Sequence, residues 1–125
     1  MAKSVHDDVL DGALNTVKNN ATRITVCSTQ PTTVTEAITT YKIAIKTISG
    51  TDFTGPVNGD TNGRKLTSNQ HTAIPVDASS TALHVALVGI SSSRLYYVTT
   101  CTSQFLTSGN TVTIPAWDME LGDPS

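Results

Sequence analysis

The chain has 125 residues, enough for one domain with its own core, and only 14% of them are charged, against about 25% in an average soluble domain. A net charge of −2 argues against the basic surface that nucleic-acid binding requires, and the apolar runs fall well short of the roughly 18 residues of a membrane span. Lys3 is followed by no apolar stretch, so we expect no signal peptide, synthesis in a cytoplasm, and unpaired thiols at Cys27 and Cys101.

The first predicted element is an amphipathic helix over residues 4–20. Ser4 is a favourable N-cap, and the early aspartates and the late Lys18 match the dipole of a helix. An apolar stripe runs along it at helical spacing: Val5, Val9, Leu10, Ala13, Leu14 and Val17. Asn19-Asn20 is a natural end, because Asn tolerates a left-handed terminal residue. We expect this helix to cover one end of a sheet or to dock on a partner.

From Thr22 onward the pattern changes to a period of two, and the β-branched residue Thr, which suits strands, is abundant. The predicted strands cover residues 23–27, 41–46, 65–67, 72–76, 83–88, 95–100 and 112–121. Segment 83–88 is nearly all apolar, which predicts burial on both faces. Segments 65–67 and 72–76 are short and are predicted to be edge strands, because Pro75 cannot donate to a central ladder.

The connections between these strands complete the predicted architecture. Segment 55–63 holds three strong turn dipeptides and is predicted to be a loop or hairpin tip. For the Thr-rich segment 32–40, both a loop and a short helical turn remain open. Short strands at intervals of roughly 8–12 residues are typical of an antiparallel sandwich or barrel. We therefore predict a single, mainly β domain over 1–125, with the helix at 4–20 and a jelly-roll-like antiparallel β-sandwich at 22–121.

Few residues combine into a pattern that could support catalysis or bind a metal. On a helix the side chains of residues 6–8 point in different directions, and segment 60–63 lacks the later Glu of a calcium loop. A reactive cysteine needs a neighbouring base, and the candidate thiols and bases are Cys27, Cys101, His71 and His84. We expect both cysteines to act as small hydrophobic residues, His84 to be packed and His71 to be solvated. The prediction is no catalytic residue, no metal, no cofactor and no enzymatic activity.

Five residues are the candidates for contact with a partner. Tyr96 and Tyr97 are adjacent on a predicted strand, so one should pack inward and the other should face solvent or a partner. Trp117 is expected to anchor the core, and it is also an interface candidate. Val5 and Val9, on the apolar stripe of the helix, are the remaining interface candidates.

Several of these segments together resemble a pattern that recurs in small β-sandwich proteins of tailed bacteriophages. The pattern is an apolar strand, a short hairpin, and a turn of the form T-x-G-[ND]-T-V-x-I-P-A leading to a final strand. The matching segments are residues 82–88, 95–98 and 106–116. The opening residues, 5–14 and 19–23, also resemble small proteins encoded among phage virion genes. The likeness covers most of the chain except its middle, 32–63.

The resemblance implies a structural protein of the virion, assembled in the host cytoplasm. The expected role is capsid decoration (cement), in which the protein binds the major capsid protein on the outer shell as a homo-oligomer, with a trimer as the expected state. A tail- or fibre-associated adaptor is the alternative. A third hypothesis, from the residues alone, is a carbohydrate-binding module with Tyr96 or Tyr97 and Trp117 as its aromatic platform. We expect no nucleic-acid or membrane partner.

Overall fold

In the computed structural model, which describes residues 4–122, one α-helix precedes nine β-strands. The elements are α1 (Asp7–Asn20), β1 (Arg23–Cys27), β2 (Lys42–Thr47), β3 (Phe53–Asn58), β4 (Arg64–Ser68), β5 (His71–Pro75), β6 (Ser80–Gly89), β7 (Arg94–Leu106), β8 (Thr111–Ile114) and β9 (Trp117–Leu121). A π-helical turn at Glu36–Thr40 and a 3₁₀ turn at Gly50–Asp52 lie in the connections. The chain is mainly β with one N-terminal α-helix, as predicted.

Helix α1 begins later than the sequence predicts. Its N-cap is His6 and not Ser4, because the His6 imidazole Nδ1 accepts a hydrogen bond from the N–H of Asp8 at 3.0 Å. The helix ends at Asn20, but the next residue, Ala21, has an extended backbone (φ −71°, ψ 123°), so no left-handed cap is formed. Of the apolar stripe, Leu14 and Val17 are buried.

The largest sheet has four antiparallel strands in the order β2-β1-β6-β7. Its two central strands pair with Ile24 opposite Leu87 and Val26 opposite Val85, and these residues face the main core. The other face is covered by the segment 28–41, in which the turn at Glu36–Thr40 packs Ala37 into a small cluster with residues of β6. The segment 32–40, for which the sequence allowed either a loop or a short helical turn, thus contains a helical turn. Burial on both faces is confirmed for 85–88 but is wrong at the start of the predicted segment, where Leu83 is 38% exposed.

Strands β3, β4 and β9 form a second antiparallel sheet, and β5 and β8 form a third. The edge position predicted for 65–67 is wrong, because β4 lies between β3 and β9. The prediction for 72–76 holds, since β5 pairs only with β8 within a sheet. The predicted loop is also too long: β3 continues through the cis peptide Gly55-Pro56, and the hairpin tip is limited to 59–63.

One hydrophobic cluster joins α1 to all three sheets. Its buried members include Leu14, Val17, Ile24, Val26, Leu66, Ile74, Val85, Leu87, Leu106, Ile114 and Met119. The helix is tied to the second sheet by an ion pair as well, in which Arg64 Nε donates to Asp11 Oδ1 at 2.8 Å. The helix and the sheets thus share a single core.

Candidate functional site

An open cleft of about 750 Å³ lies between β7 and the connection from β8 to β9. The lining residues are Val26, Ala82, Val85, Thr99, Thr100, Cys101, Thr102, Gln104, Leu106, Val112, Thr113, Ile114, Pro115, Trp117 and Asp118. Val26, Ala82 and Val85 are buried residues of the main cluster. The cleft therefore reaches the hydrophobic core beside β7, the terminal strand of the four-stranded sheet.

Strand β7 is longer and less regular than the sequence predicts. It runs past Thr100 to Leu106, and its pairing with β6 shifts between Ala82 and His84. Residues 101–103 of β7 thus lie opposite Leu83 alone, which makes a bulge in β7. Cys101 and Thr102, in this bulge, line the cleft.

The rim of the cleft is rich in hydroxyl groups and almost free of charge. Four threonines and Gln104 line it, and Asp118 is the one charged residue among the lining side chains. The Asp118 carboxylate accepts a hydrogen bond from the Thr67 hydroxyl at 2.6 Å and lies 3.5 Å from Lys65 Nζ. Because these partners compensate the carboxylate, the cleft offers hydroxyl, amide and apolar contacts to a binding partner.

Two of the predicted contact residues meet beside the cleft. The rings of Tyr97 and Trp117 have centroids 5.5 Å apart with an angle of 38° between their planes. Trp117 is half-buried and packs against the main cluster, and Tyr97 is 37% exposed. Tyr96 packs on the core instead, and its hydroxyl lies 2.7 Å from Ser92 Oγ. Tyr96 is thus the inward-packed member of the pair and Tyr97 the more exposed one, as predicted. Opposite faces are not formed, because Tyr97 is paired with Leu87 of the main cluster and Tyr96 lies at a shift in the pairing.

Val5 and Val9 are not part of this arrangement. Both lie at the start of the chain, where α1 packs mainly on β3 and β4, and neither lines the cleft. Val5 is half-buried, whereas Val9 is 63% exposed. The interface candidates therefore lie in two places: Val9 at the start of α1 with Val5 just before it, and the aromatic residues beside β7.

The cysteines and histidines do not form an activated pair. Strand pairing places His84 opposite Cys27, but the Cys27 thiol is directed at the carbonyl oxygen of Ala37, 3.7 Å away. Burial raises the pKa of the Cys27 thiol, and burial also raises the pKa of Cys101. A raised pKa keeps a thiol protonated and therefore weakly nucleophilic.

His71 is buried, with 2% of its surface exposed, so the expectation that it is solvated is wrong. It opens β5 and pairs with Ile114, which turns its ring into the core. Its Nε2 atom is buried without a hydrogen-bond partner. Burial lowers the pKa of His71, and the positive charge of Lys46 lowers it further, while Asp52 acts in the opposite direction.

Neither a metal centre nor a membrane helix is found among residues 4–122. In that range no three side chains of His, Cys, Asp or Glu are grouped so that they could hold an ion. No helix in the same range is long and apolar enough to cross a membrane.

Comparisons with known proteins add no relative of this chain. Neither the protein-family models, nor the curated proteins, nor the solved structures contain a match. The function must be inferred from the residues and their arrangement.

The cleft itself was not predicted from the sequence. Its lining comes from five strands, and which strands adjoin depends on the sheet order, which periodicity does not reveal. A signal was nevertheless present: the chain has no charged residue and no proline from Leu95 to Leu106. Such a long neutral segment in a strand indicates either a buried strand or an interface.

Proposed function

We propose that this protein is a non-enzymatic structural component of a tailed-bacteriophage virion, and that it decorates the capsid by binding the major capsid protein on the outer shell. The observation that carries the proposal is the neutral surface formed by β7 and the cleft beside it. Exposed apolar residues with few charges around them are typical of protein–protein contacts. The resemblance of segments 82–88 and 106–116 to phage proteins supports the choice of partner.

We also propose that the three sheets are the two layers of a jelly-roll-like β-sandwich. In this arrangement the four-stranded sheet faces the other two across the shared core. The composition of the main cluster supports it, since Val26 and Leu87 of the first sheet pack in the same cluster as Leu66 of the second and Ile74 of the third. Sheets packed face to face through such a core are the basis of sandwich folds.

The composition of the surface suits a protein that is immobilised in a dense array. Exposed positions on β7 are largely Thr, Ser and Gln, with few of the long charged side chains of an average surface. Short hydroxyl side chains lose less rotamer entropy than Lys or Glu when a contact forms. This property supports a structural role in the head and equally the alternative role as a tail- or fibre-associated adaptor.

Copy number per particle tests the proposal and separates the two locations. Quantitative mass spectrometry of purified virions would compare this chain with the major capsid protein. We expect a ratio that approaches parity, as for a decoration protein on the whole shell. A few copies per hundred capsid subunits would indicate a tail or fibre component, and complete absence from particles would contradict the virion role.

A binding experiment tests whether the second group of interface candidates, at α1, also meets the capsid in addition to the β7 surface. Val9 is 63% exposed on α1, and a carboxylate at this position would be desolvated in an apolar contact. We expect Val9→Asp to weaken binding to capsids stripped of this protein by at least about tenfold. Val57→Asp, at a 43% exposed position on β3, is the matched control and should bind as the wild type does. Equal binding by both variants would remove α1 from the contact.

A second candidate function is recognition of a host-surface glycan, and the contact between Tyr97 and Trp117 favours it. Aromatic rings beside hydroxyl and amide groups, here four threonines and Gln104, could stack on a sugar and bond its hydroxyls. Screening of the wild-type protein and of Tyr97→Ala on immobilised glycans tests this role. Binding that Tyr97→Ala abolishes would support it, and no binding to any glycan would count against it.

A further inference from the structure

We propose that β7 pairs edge to edge with β7 of a second copy of this chain, so that two four-stranded sheets join across a two-fold axis. Strand β7 is the terminal strand of its sheet, and within residues 4–122 no other strand pairs with its outer side. A row of backbone N–H and C=O groups is therefore available along β7 for pairing with another strand. This inference does not depend on the virion role.

The other sheet edges carry features that block pairing with another chain. Charged residues and prolines on edge strands prevent such pairing, because a charge is costly to desolvate and proline has no N–H to donate. The blocking residues are Lys42 and Lys46 on β2, Pro56 on β3, Pro75 on β5, and Asp118 and Glu120 on β9. The remaining strand, β8, has only four residues and is followed by Pro115. Within residues 4–122, charges, prolines or short length thus protect every sheet edge except that of β7.

The edge of β7 is interrupted only by bulges at Tyr96 and at residues 101–103, and between them residues 97–100 pair regularly with β6. Strand β7 is 13 residues long, and from Leu95 to Leu106 it contains neither a charged residue nor a proline. Phe105, near its end, is 65% exposed, which is a large apolar area for a solvent-facing strand. The contrast with β2, the opposite edge of the same sheet, indicates that the β7 edge is suited to pairing.

A second copy is the occupant that fits this edge best. Two identical neutral strands can run antiparallel about a two-fold axis without like-charge repulsion, and opposed threonines form favourable cross-strand pairs. A cyclic trimer, the state expected from the resemblance, would need β7 to pair with a different edge of the next copy if it were built by edge pairing. Because those edges are blocked, the two-fold dimer is favoured over the trimer.

The oligomeric state in solution, measured by sedimentation equilibrium over a range of concentrations, tests the proposal. We expect the wild-type protein to reach twice the mass of the 13.2-kDa chain. Introducing lysines at two exposed β7 positions, Thr100→Lys with Thr102→Lys, should raise the dimer dissociation constant at least about tenfold, because like charges then face each other across the axis. Thr47→Lys, at an exposed position on β2, is the matched control and should remain dimeric.

Three results would overturn the proposal: a wild-type protein that stays monomeric, a trimeric mass, or equal effects of the β7 and β2 variants. If the double variant fails to fold, hydrogen exchange of the wild-type protein at low and high concentration decides instead. Slower exchange confined to residues 95–105 at high concentration would support pairing through β7. Protection of another segment, or of none, would contradict it.

Discussion

At the scale of single residues, His71 is the least expected feature of the core. Its ring is buried, its Nε2 has no hydrogen-bond partner, and the nearby charges that act on it are those of Lys46 and Asp52. Burial and Lys46 favour the neutral imidazole, which lowers the pKa below the ordinary value of 6.5. The folded protein therefore binds a proton at this position less readily than the unfolded chain does.

This lowered pKa predicts a loss of stability in mild acid. The contribution of His71 is complete above pH 6.5 and is lost as the pH falls from 6.5 towards its lowered pKa, because the unfolded chain takes up the proton first. We expect the urea midpoint of the wild type to fall over this range, and His71→Gln to reduce that dependence. Thr72→Gln, at an exposed neighbouring position on β5, changes no titratable group and should leave that dependence unchanged. An identical pH profile for His71→Gln and wild type would refute the argument.

Substitution of two glycines by alanine is expected to change the stability in opposite directions. Gly12 lies exposed in the middle of α1 with nothing near the position of a Cβ atom, so Gly12→Ala should stabilise the protein by about 0.5–1 kcal/mol. Gly63 has φ +69°, and a Cβ atom there would collide with the carbonyl oxygen of Leu121. Gly63→Ala should therefore be destabilising by more than about 1 kcal/mol. Urea denaturation of both variants checks the two signs, and a stabilising Gly63→Ala would contradict this account of the hairpin tip.

At the scale of elements, the position of α1 depends on a small part of its apolar stripe. Leu14 is 3% exposed and belongs to the main cluster, whereas Val9 is 63% exposed. The ion pair between Arg64 and Asp11 fixes the same helix on β4. Packing of the middle of the helix, together with this ion pair, therefore holds it on the sheets.

Alanine substitutions along α1 test this arrangement. We expect Leu14→Ala to lower the free energy of unfolding by about 2–5 kcal/mol, because it leaves a cavity in the core. Val9→Ala should change the free energy of unfolding by less than about 0.5 kcal/mol, since the exposed Val9 side chain makes few contacts that truncation would remove. Chemical denaturation measures both values. Similar values for the two variants would mean that the helix does not dock through Leu14.

The element types could be predicted from the sequence, but the partners of the strands could not. The periodicity of 3.6 located α1 and the period of two located most strands, because those patterns record which side chains face the core. Strand β3 was missed because Gly55-Pro56 falls at a bulge, between the pairs Thr54–Thr67 and Val57–Lys65. Strand β4 was placed at an edge because its apolar pattern is short, yet it lies between β3 and β9, where the ammonium group of Lys65 pairs with Asp60 at 2.6 Å.

In the candidate site, too, the sequence indicated individual residues but not which of them come into contact. The sequence indicated Tyr97 and Trp117 as contact residues, but it did not show that their rings meet beside a cleft. That contact depends on the approach of β7 to β9, which belong to different sheets. His71 was misjudged for a related reason: its neighbours in sequence are polar, while its burial comes from the pairing of β5 with β8.

At the scale of the whole molecule, the shared core predicts a single unfolding transition. Leu14 of α1 and residues of all three sheets belong to one buried cluster. Unfolding of any one element would therefore expose apolar side chains of the others to water. Thermal unfolding followed by circular dichroism at 222 nm, which reports mainly on the helix, should have the same midpoint as unfolding followed by the fluorescence of Trp117, the single tryptophan. A lower midpoint for the helical signal would show that α1 unfolds separately.

The order of strands in the sheets also determines when the protein can fold during translation. Strand β1 lies between β2 and β6, and β4 lies between β3 and β9, so in both sheets a central strand is made long before one of its partners. A nascent chain that ends near β5 can form only two hairpins, with apolar faces that still lack a cover. Because distant pairings are slow to form and their absence favours aggregation, the ribosome must deliver residue 121 before the core is complete.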